Sequence, residues 1–123
     1  MSTHDETRRI VERYFAAWTA NKVDEAYGLL AEELEFVGPT ASYRSAAEFR
    51  PALIGFAAMT KAARIVELIV EGDRAAMLYD CELPAPVGTL KIASFFRVVN
   101  GKIRAYETQF DATELRKLLA RKG

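Results

Sequence analysis

The sequence predicts an α+β domain: helices first, then antiparallel strands that curl into a cone against them, and one more helix at the C-terminus. Three observations carry this expectation. Apolar residues recur at helical spacing through the N-terminal half, and from Ala62 onward the period falls to that of a strand. Asn100-Gly101, set between two alternating runs, is the strongest hairpin signal in the chain, because both residues tolerate the positive φ of a type I′ turn. Helices packed on one face of an antiparallel sheet bury both patterns at once. Long twisted strands curl, and a curled sheet capped by a helix leaves a conical cavity.

Thr3 to Glu6 has the form of a capping box, and Ile10, Tyr14 and Ala17 follow beside Val11, Phe15 and Trp18 on the apolar side of a first helix. Asn21 is placed to cap a short second helix with Val23, Ala26, Tyr27 and Leu30 on its apolar face. "LEFV" reads as a brief strand ending at Gly38-Pro39, with Tyr43 and Arg44 on the loop beyond. Ser45 to Glu48 is a second capping box, opening a helix with Phe49, Leu53 and Phe56 on one side. Pro51 lacks a backbone donor, so this helix is expected to start late or kink there.

"ARIVELIVEGD" and "RAAMLYDCELP" meet at the turn residues Gly72-Asp73 and predict a hairpin. "PAPVG" makes a wider turn into the strand "TLKIASFFRVV", and "KIRAYETQF" returns after Asn100-Gly101. Asp111 and Glu114 start a C-terminal helix with Leu115, Leu118 and Leu119 turned inward.

A length of 123 residues suits one domain, 1–123, large enough to bury a core. Half the residues are hydrophobic, 28% are charged and the net charge is zero, which speaks against nucleic acid as a partner. The basic C-terminal run "RKLLARKG" is explained by the helix dipole. The single cysteine, Cys81, forms no intrachain disulfide, which fits a reducing cytoplasm. No stretch looks like a signal peptide and no apolar run approaches a membrane span. With one histidine, His4, in the polar N-terminal tail, a His- or Cys-rich metal site is nearly excluded. A carboxylate-only magnesium or calcium site has no supporting motif, and no cofactor is expected.

The stretches "VERYFAAWTANKVDEAYGLLAEELEFVGP" and "FFRVVNGKIRAYETQFDATELRKLL" make the chain resemble the NTF2-like superfamily, in particular its ketosteroid-isomerase and SnoaL-like members, from roughly Thr7 to Leu119. The resemblance implies a cone-shaped sheet with a deep pocket for a small hydrophobic molecule, often in a homodimer paired through the outer sheet face. The superfamily holds isomerases, cyclases, epoxide hydrolases, dehydratases and non-enzymatic binding subunits, so fold alone does not name the reaction. In the isomerases a tyrosine donates to the developing oxyanion, and Tyr14 stands at the matching place. Their aspartate base corresponds to Gly38, and their second acid to Ser94. A glycine supplies no base, which makes an isomerase mechanism of that kind improbable. The Asp-Arg-Asp set of the epoxide-hydrolase branch maps onto Glu82, Asp80 and Thr108, and is broken too.

Asp80 and Glu82 remain the sharpest chemical signal. Two apart on a strand, they share a face. If that face is the pocket, one of the two carries a raised pKa and serves as acid or base, with Tyr14 as donor. If the strand runs in the opposite phase, Tyr79, Cys81 and Leu83 face inward and the carboxylates lie on a solvated or subunit-facing surface. Trp18, Phe36, Tyr43, Phe56, Ser94, Phe96, Tyr106, Thr108 and Phe110 are the expected pocket lining. Arg97 is expected outside, paired with Glu107, and neither Ser94 nor Cys81 has a histidine to activate it as a nucleophile. Two functions stay open: acid/base catalysis (isomerisation, cyclisation, dehydration or hydrolysis) by Asp80, Glu82 and Tyr14, or a binding or dimerisation module without chemistry.

Overall fold

In the computed structural model, which describes residues 3–122, ten elements follow one another. They are α1 (Thr3–Thr19), α2 (Val23–Tyr27), β1 (Leu30–Val37), β2 (Ser42–Tyr43), α3 (Ala46–Met59), β3 (Ala62–Glu71), β4 (Arg74–Leu83), β5 (Gly88–Val99), β6 (Lys102–Gln109) and α4 (Thr113–Lys122). The strands form one curved sheet in the order β2-β1-β6-β5-β4-β3. All neighbours pair antiparallel except β1 and β6, which run parallel and make the sheet mixed. Among the described residues no helix is long and apolar enough to cross a membrane. Met1, Ser2 and Gly123, the ends of the expected 1–123 unit and of its basic C-terminal run, lie outside the described residues.

The two hairpins close as their turn residues dictate. Gly72 has φ +59° between β3 and β4, and Asn100 and Gly101 have φ 52° and 77° between β5 and β6. From these turns the ladders run on to Ala62 opposite Glu82, and to Ala93 opposite Gln109. The inward face of the sheet carries Met77, Tyr79, Cys81, Ile92, Phe96, Ile103 and Tyr106, all buried. Against it lies the stripe of α1 formed by Val11, Tyr14, Phe15 and Trp18. Burying each such aromatic or large aliphatic side chain stabilises the fold by about 1.5–3 kcal/mol.

Several local expectations need correction. Asn21 does not cap α2: it sits in the left-handed region at φ 60°, ending the α1 turn, and α2 begins after Lys22 without a side-chain cap. β1 starts at Leu30, because Leu30 already pairs with Ile103 of β6, so "LEFV" is only its second half. α3 starts at its Ser45 cap, whose hydroxyl accepts from Glu48 N, and continues through Pro51. Leu115 and Leu118 of α4 are buried, but Leu119 is 44% exposed. Asp111 caps this helix, its Oδ1 accepting from Thr113 N at 3.1 Å. Arg97 does lie outside, but pairs with Asp73 of the β3–β4 turn at 3.1 Å and not with Glu107.

The backbone predicts opposite effects for two glycine substitutions. At Gly101, with φ 77°, an alanine is strained, and Gly101→Ala should cost about 1 kcal/mol. At Gly55, inside α3, an added Cβ meets nothing within 4 Å, and Gly55→Ala should stabilise by about 0.5–1 kcal/mol. Urea midpoints at constant m-value measure both.

Candidate functional site

A cavity of about 110 Å³ opens between α1, α3, the β1–β2 hairpin and the inner face of β4 and β6. Helix α1 contributes Tyr14 and Trp18, two residues of one apolar stripe four apart. Phe49, Leu53 and Phe56 enter from α3. The hairpin supplies Phe36, Tyr43 and the turn Gly38–Ala41, closed by Gly38 N donating to the Ala41 carbonyl at 3.0 Å. Tyr79 comes from β4, Tyr106 and Thr108 from β6, Phe110 from the segment leading into α4, and Leu115 from α4 itself. Among the described residues on this wall none carries a carboxylate, imidazole, thiol or amine. An apolar cavity of about 150 Å³ accommodates benzene; the chamber here is smaller but open at one side, so a single-ring ligand would fill it and extend into its mouth.

The aromatic rings are locked by one another. Phe36 stacks on Phe49 at 4.4 Å and meets Tyr106 edge-on at 5.0 Å. Tyr14 is edge-on to Tyr106 at 5.4 Å, and Trp18 to Tyr79 at 5.9 Å. Their polar tips gather into a hydroxyl cluster. Ser94 and Thr108, opposite each other on β5 and β6, share a buried hydrogen bond of 2.9 Å. Tyr79 and Tyr106 lie near Ser94, and Tyr106 also near Thr108 and Tyr14. Tyr14 Oη is buried without a hydrogen-bond partner: it is near enough to the Tyr106 hydroxyl for each to influence the other's ionisation, but not in bonding geometry. Burial raises the pKa of Tyr14, Tyr79 and Tyr106, so all three phenols hold their protons at neutral pH.

Eight residues expected at the pocket come together on its wall: Tyr14, Trp18, Phe36, Tyr43, Phe56, Tyr106, Thr108 and Phe110. Ser94 and Phe96 do not reach it. Ser94 is buried behind Thr108, and Phe96 is covered by Tyr106, stacked on it at 4.8 Å. Asp80 and Glu82 are on the opposite face of the sheet: of the two phases left open by the sequence the second holds, which corrects their candidacy as acid/base groups of the pocket. Tyr79, Cys81 and Leu83 take the inner positions, since three apolar side chains gain more from burial than two carboxylates. Asp80 is bound by Lys91 Nζ at 3.0 Å and by Arg64 Nη2 at 3.2 Å. Lys91 first, and Arg64 with it, hold its carboxyl below the ordinary range, the reverse of what a general acid needs. Glu82 is exposed. Cys81 is buried, with its Sγ 3.6 Å from Thr60 Oγ1. Phe49, Leu53 and Tyr79 are wall residues that the sequence had offered only as a helix stripe and as the inward option for β4. The Phe49 and Leu53 stripe was visible, but not that it faces β1 across the cavity.

The fold has close relatives in shape. A protein from Kribbella flavida superposes with a TM-score of 0.84 at 23% identity, over 94% of this chain and 96% of its own. An NTF2-like protein of unknown function from Cytophaga hutchinsonii gives 0.76 at 19%, over 89% and 94%. An LEH-like epoxide hydrolase from M. tuberculosis gives 0.75 at 18%, over 96% and 92%. Identities this low show a common fold and nothing of a common activity. Curated protein sequences give no match. The model of the SnoaL-like domain, however, matches residues 11–106, from the α1 stripe to the cavity tyrosine of β6, and the chain belongs to that family.

Proposed function

We propose that this protein binds a small, neutral, mostly apolar molecule in the cone cavity and does not transfer protons to or from it. The observation that carries this reading is the wall itself: aromatic and aliphatic groups all round, and hydroxyls as its side-chain polar groups. An anion entering it would lose its hydration with no cation to replace it, which disfavours charged ligands. The Tyr14 hydroxyl has no hydrogen-bond partner and its oxygen is covered by neighbouring side chains. A ligand that parts those side chains gains one hydrogen bond to a carbonyl or ether oxygen. Acid/base catalysis, the competing function, needs a group that changes protonation within reach of the ligand. The carboxylates best suited to it by sequence stand across the sheet.

A second observation supports pairing of two copies. On the outer face the register sets Ile69, Ala76 and Phe95 side by side across β3, β4 and β5, and Ile69 and Phe95 are 58% and 51% exposed. Leu78 and Ala93 extend this apolar row, with Glu67, Arg74 and Arg97 around it. We infer a homodimer through this face, burying Phe95 and Ile69 against their counterparts.

Three outcomes test these readings. Trp18 is the single tryptophan and lines the cavity, so its fluorescence reports occupancy. Cyclohexanone should change it saturably, and Tyr14→Phe should weaken cyclohexanone by about fivefold, the worth of about 1 kcal/mol for one net hydrogen bond, without weakening methylcyclohexane. Asp80→Asn with Glu82→Gln should leave both affinities unchanged. Proton-exchange turnover that disappears in this double variant would sink the binding reading.

The phenols predict the alkaline limit. The unfolded chain releases tyrosine protons near pH 10, whereas buried Tyr14, Tyr79 and Tyr106 keep theirs to higher pH. Their contribution is therefore complete below about pH 10 and is lost as pH rises above it, so the melting temperature should fall there, less steeply in Tyr14→Phe. Sedimentation should show a dimer that Phe95→Glu converts to a folded monomer; a wild-type monomer at all concentrations would reject the pairing.

A further inference from the structure

Phe36 and Gly38 alternate on β1 and its turn, so both face the cavity. A Cβ placed on Gly38 would stand 2.8 Å from Phe36 Cε2, 3.1 Å from its Cζ and 3.3 Å from the Ala41 carbonyl oxygen. Carbon atoms in good contact are about 3.5–4.0 Å apart, so the ring and a side chain at 38 exclude each other. The ring can retreat only into the cavity itself. Phe49 is stacked on it at 4.4 Å, Tyr106 blocks one edge at 5.0 Å, and Tyr43 lies 6.0 Å away on the paired strand. The backbone is restrained as well, since Gly38 N donates to Ala41 O within the hairpin turn.

We propose that Phe36 and Gly38 form a single steric device that sets ligand size: the glycine makes room for the ring, and the ring narrows the cavity to ligands of one six-membered ring. This rests on the binding reading of the cavity and adds the determinant of its selectivity. Phe36 joins the rings of α3 to Tyr106 of β6, so its side chain spans the width of the chamber at the hairpin side. Removing it enlarges the chamber beside the Gly38–Ala41 turn, which already forms part of its wall.

The test compares cyclohexanone with 1-tetralone, which offers the same kind of oxygen on two fused rings, by Trp18 fluorescence and by ligand-observed NMR. Wild type should bind cyclohexanone at least about tenfold more tightly than 1-tetralone, and Phe36→Ala should reverse that order. Equal affinities in wild type, or an unchanged preference in Phe36→Ala, overturn the size device while leaving the binding reading standing. If neither ketone binds wild type or variant, the binding reading falls and the device with it. A ligand-free measurement guards against a misfolded variant. Gly38→Ala should lower the melting temperature by about 5 °C when Phe36 is present, and by less than half of that in the Phe36→Leu background. Equal shifts in both backgrounds would overturn the steric coupling.

Discussion

The phase of β4 is the constraint on which the site depends, with Tyr79 turned inward against α1 and Asp80 turned outward between Arg64 and Lys91. Side chains of a strand alternate, so a slip of one residue would exchange the two faces completely. The slipped strand would drive Asp80 toward the space where Tyr79 now meets Phe15 at 5.1 Å and Trp18 at 5.9 Å. An ionised carboxylate without a cation there would cost several kcal/mol. The same slip would expose Cys81 and Leu83, now 0% and 2% accessible. Ion pairs across three strands outside and aromatic contacts inside therefore select one register, and that register leaves the cavity without acids.

Much of the fold was legible before any coordinates. Hairpin turns at Gly72-Asp73 and Asn100-Gly101 are local chemistry, and the stripes on α1 and α3 follow from helical spacing. The phase of β4 was not legible, because Tyr79-Cys81-Leu83 and Asp80-Glu82 alternate equally well in either sense. Deciding it needs Arg64 and Lys91, which lie on neighbouring strands and become partners only through register. Leu119 and Asn21 failed for a similar reason: burial at a helix end and the hand of a turn are set by what packs nearby. The parallel pairing of β1 with β6 joins segments far apart in sequence, and no hairpin signal announces it.

The hydroxyl cluster gives the cavity its chemical character. Phenols and alcohols are both donors and acceptors, so Ser94 and Thr108 satisfy each other and Tyr106 has neighbours on two sides. Tyr14 stands at the end of this chain, where a donor is left over. A buried hydroxyl without a partner costs about 1–3 kcal/mol, a penalty that an incoming oxygen removes. On the proposed binding reading, the unsatisfied end would favour a ligand oxygen, while the surrounding rings would supply contact area for an apolar ring.

Two separate barriers stand between this architecture and proton abstraction. A carboxylate at 38 would first have to displace the Phe36 ring, which Phe49 and Tyr106 hold in place. Even with the ring gone, the carboxylate would face aromatic walls with no cation among the cavity-lining residues, and partial burial would push its pKa up. Gly38 and the ring beside it are in this sense one property of the hairpin. Glycine at 38 leaves room for the Phe36–Phe49–Tyr106 wall, and on the proposed binding reading that wall favours recognition by shape and a single hydrogen bond.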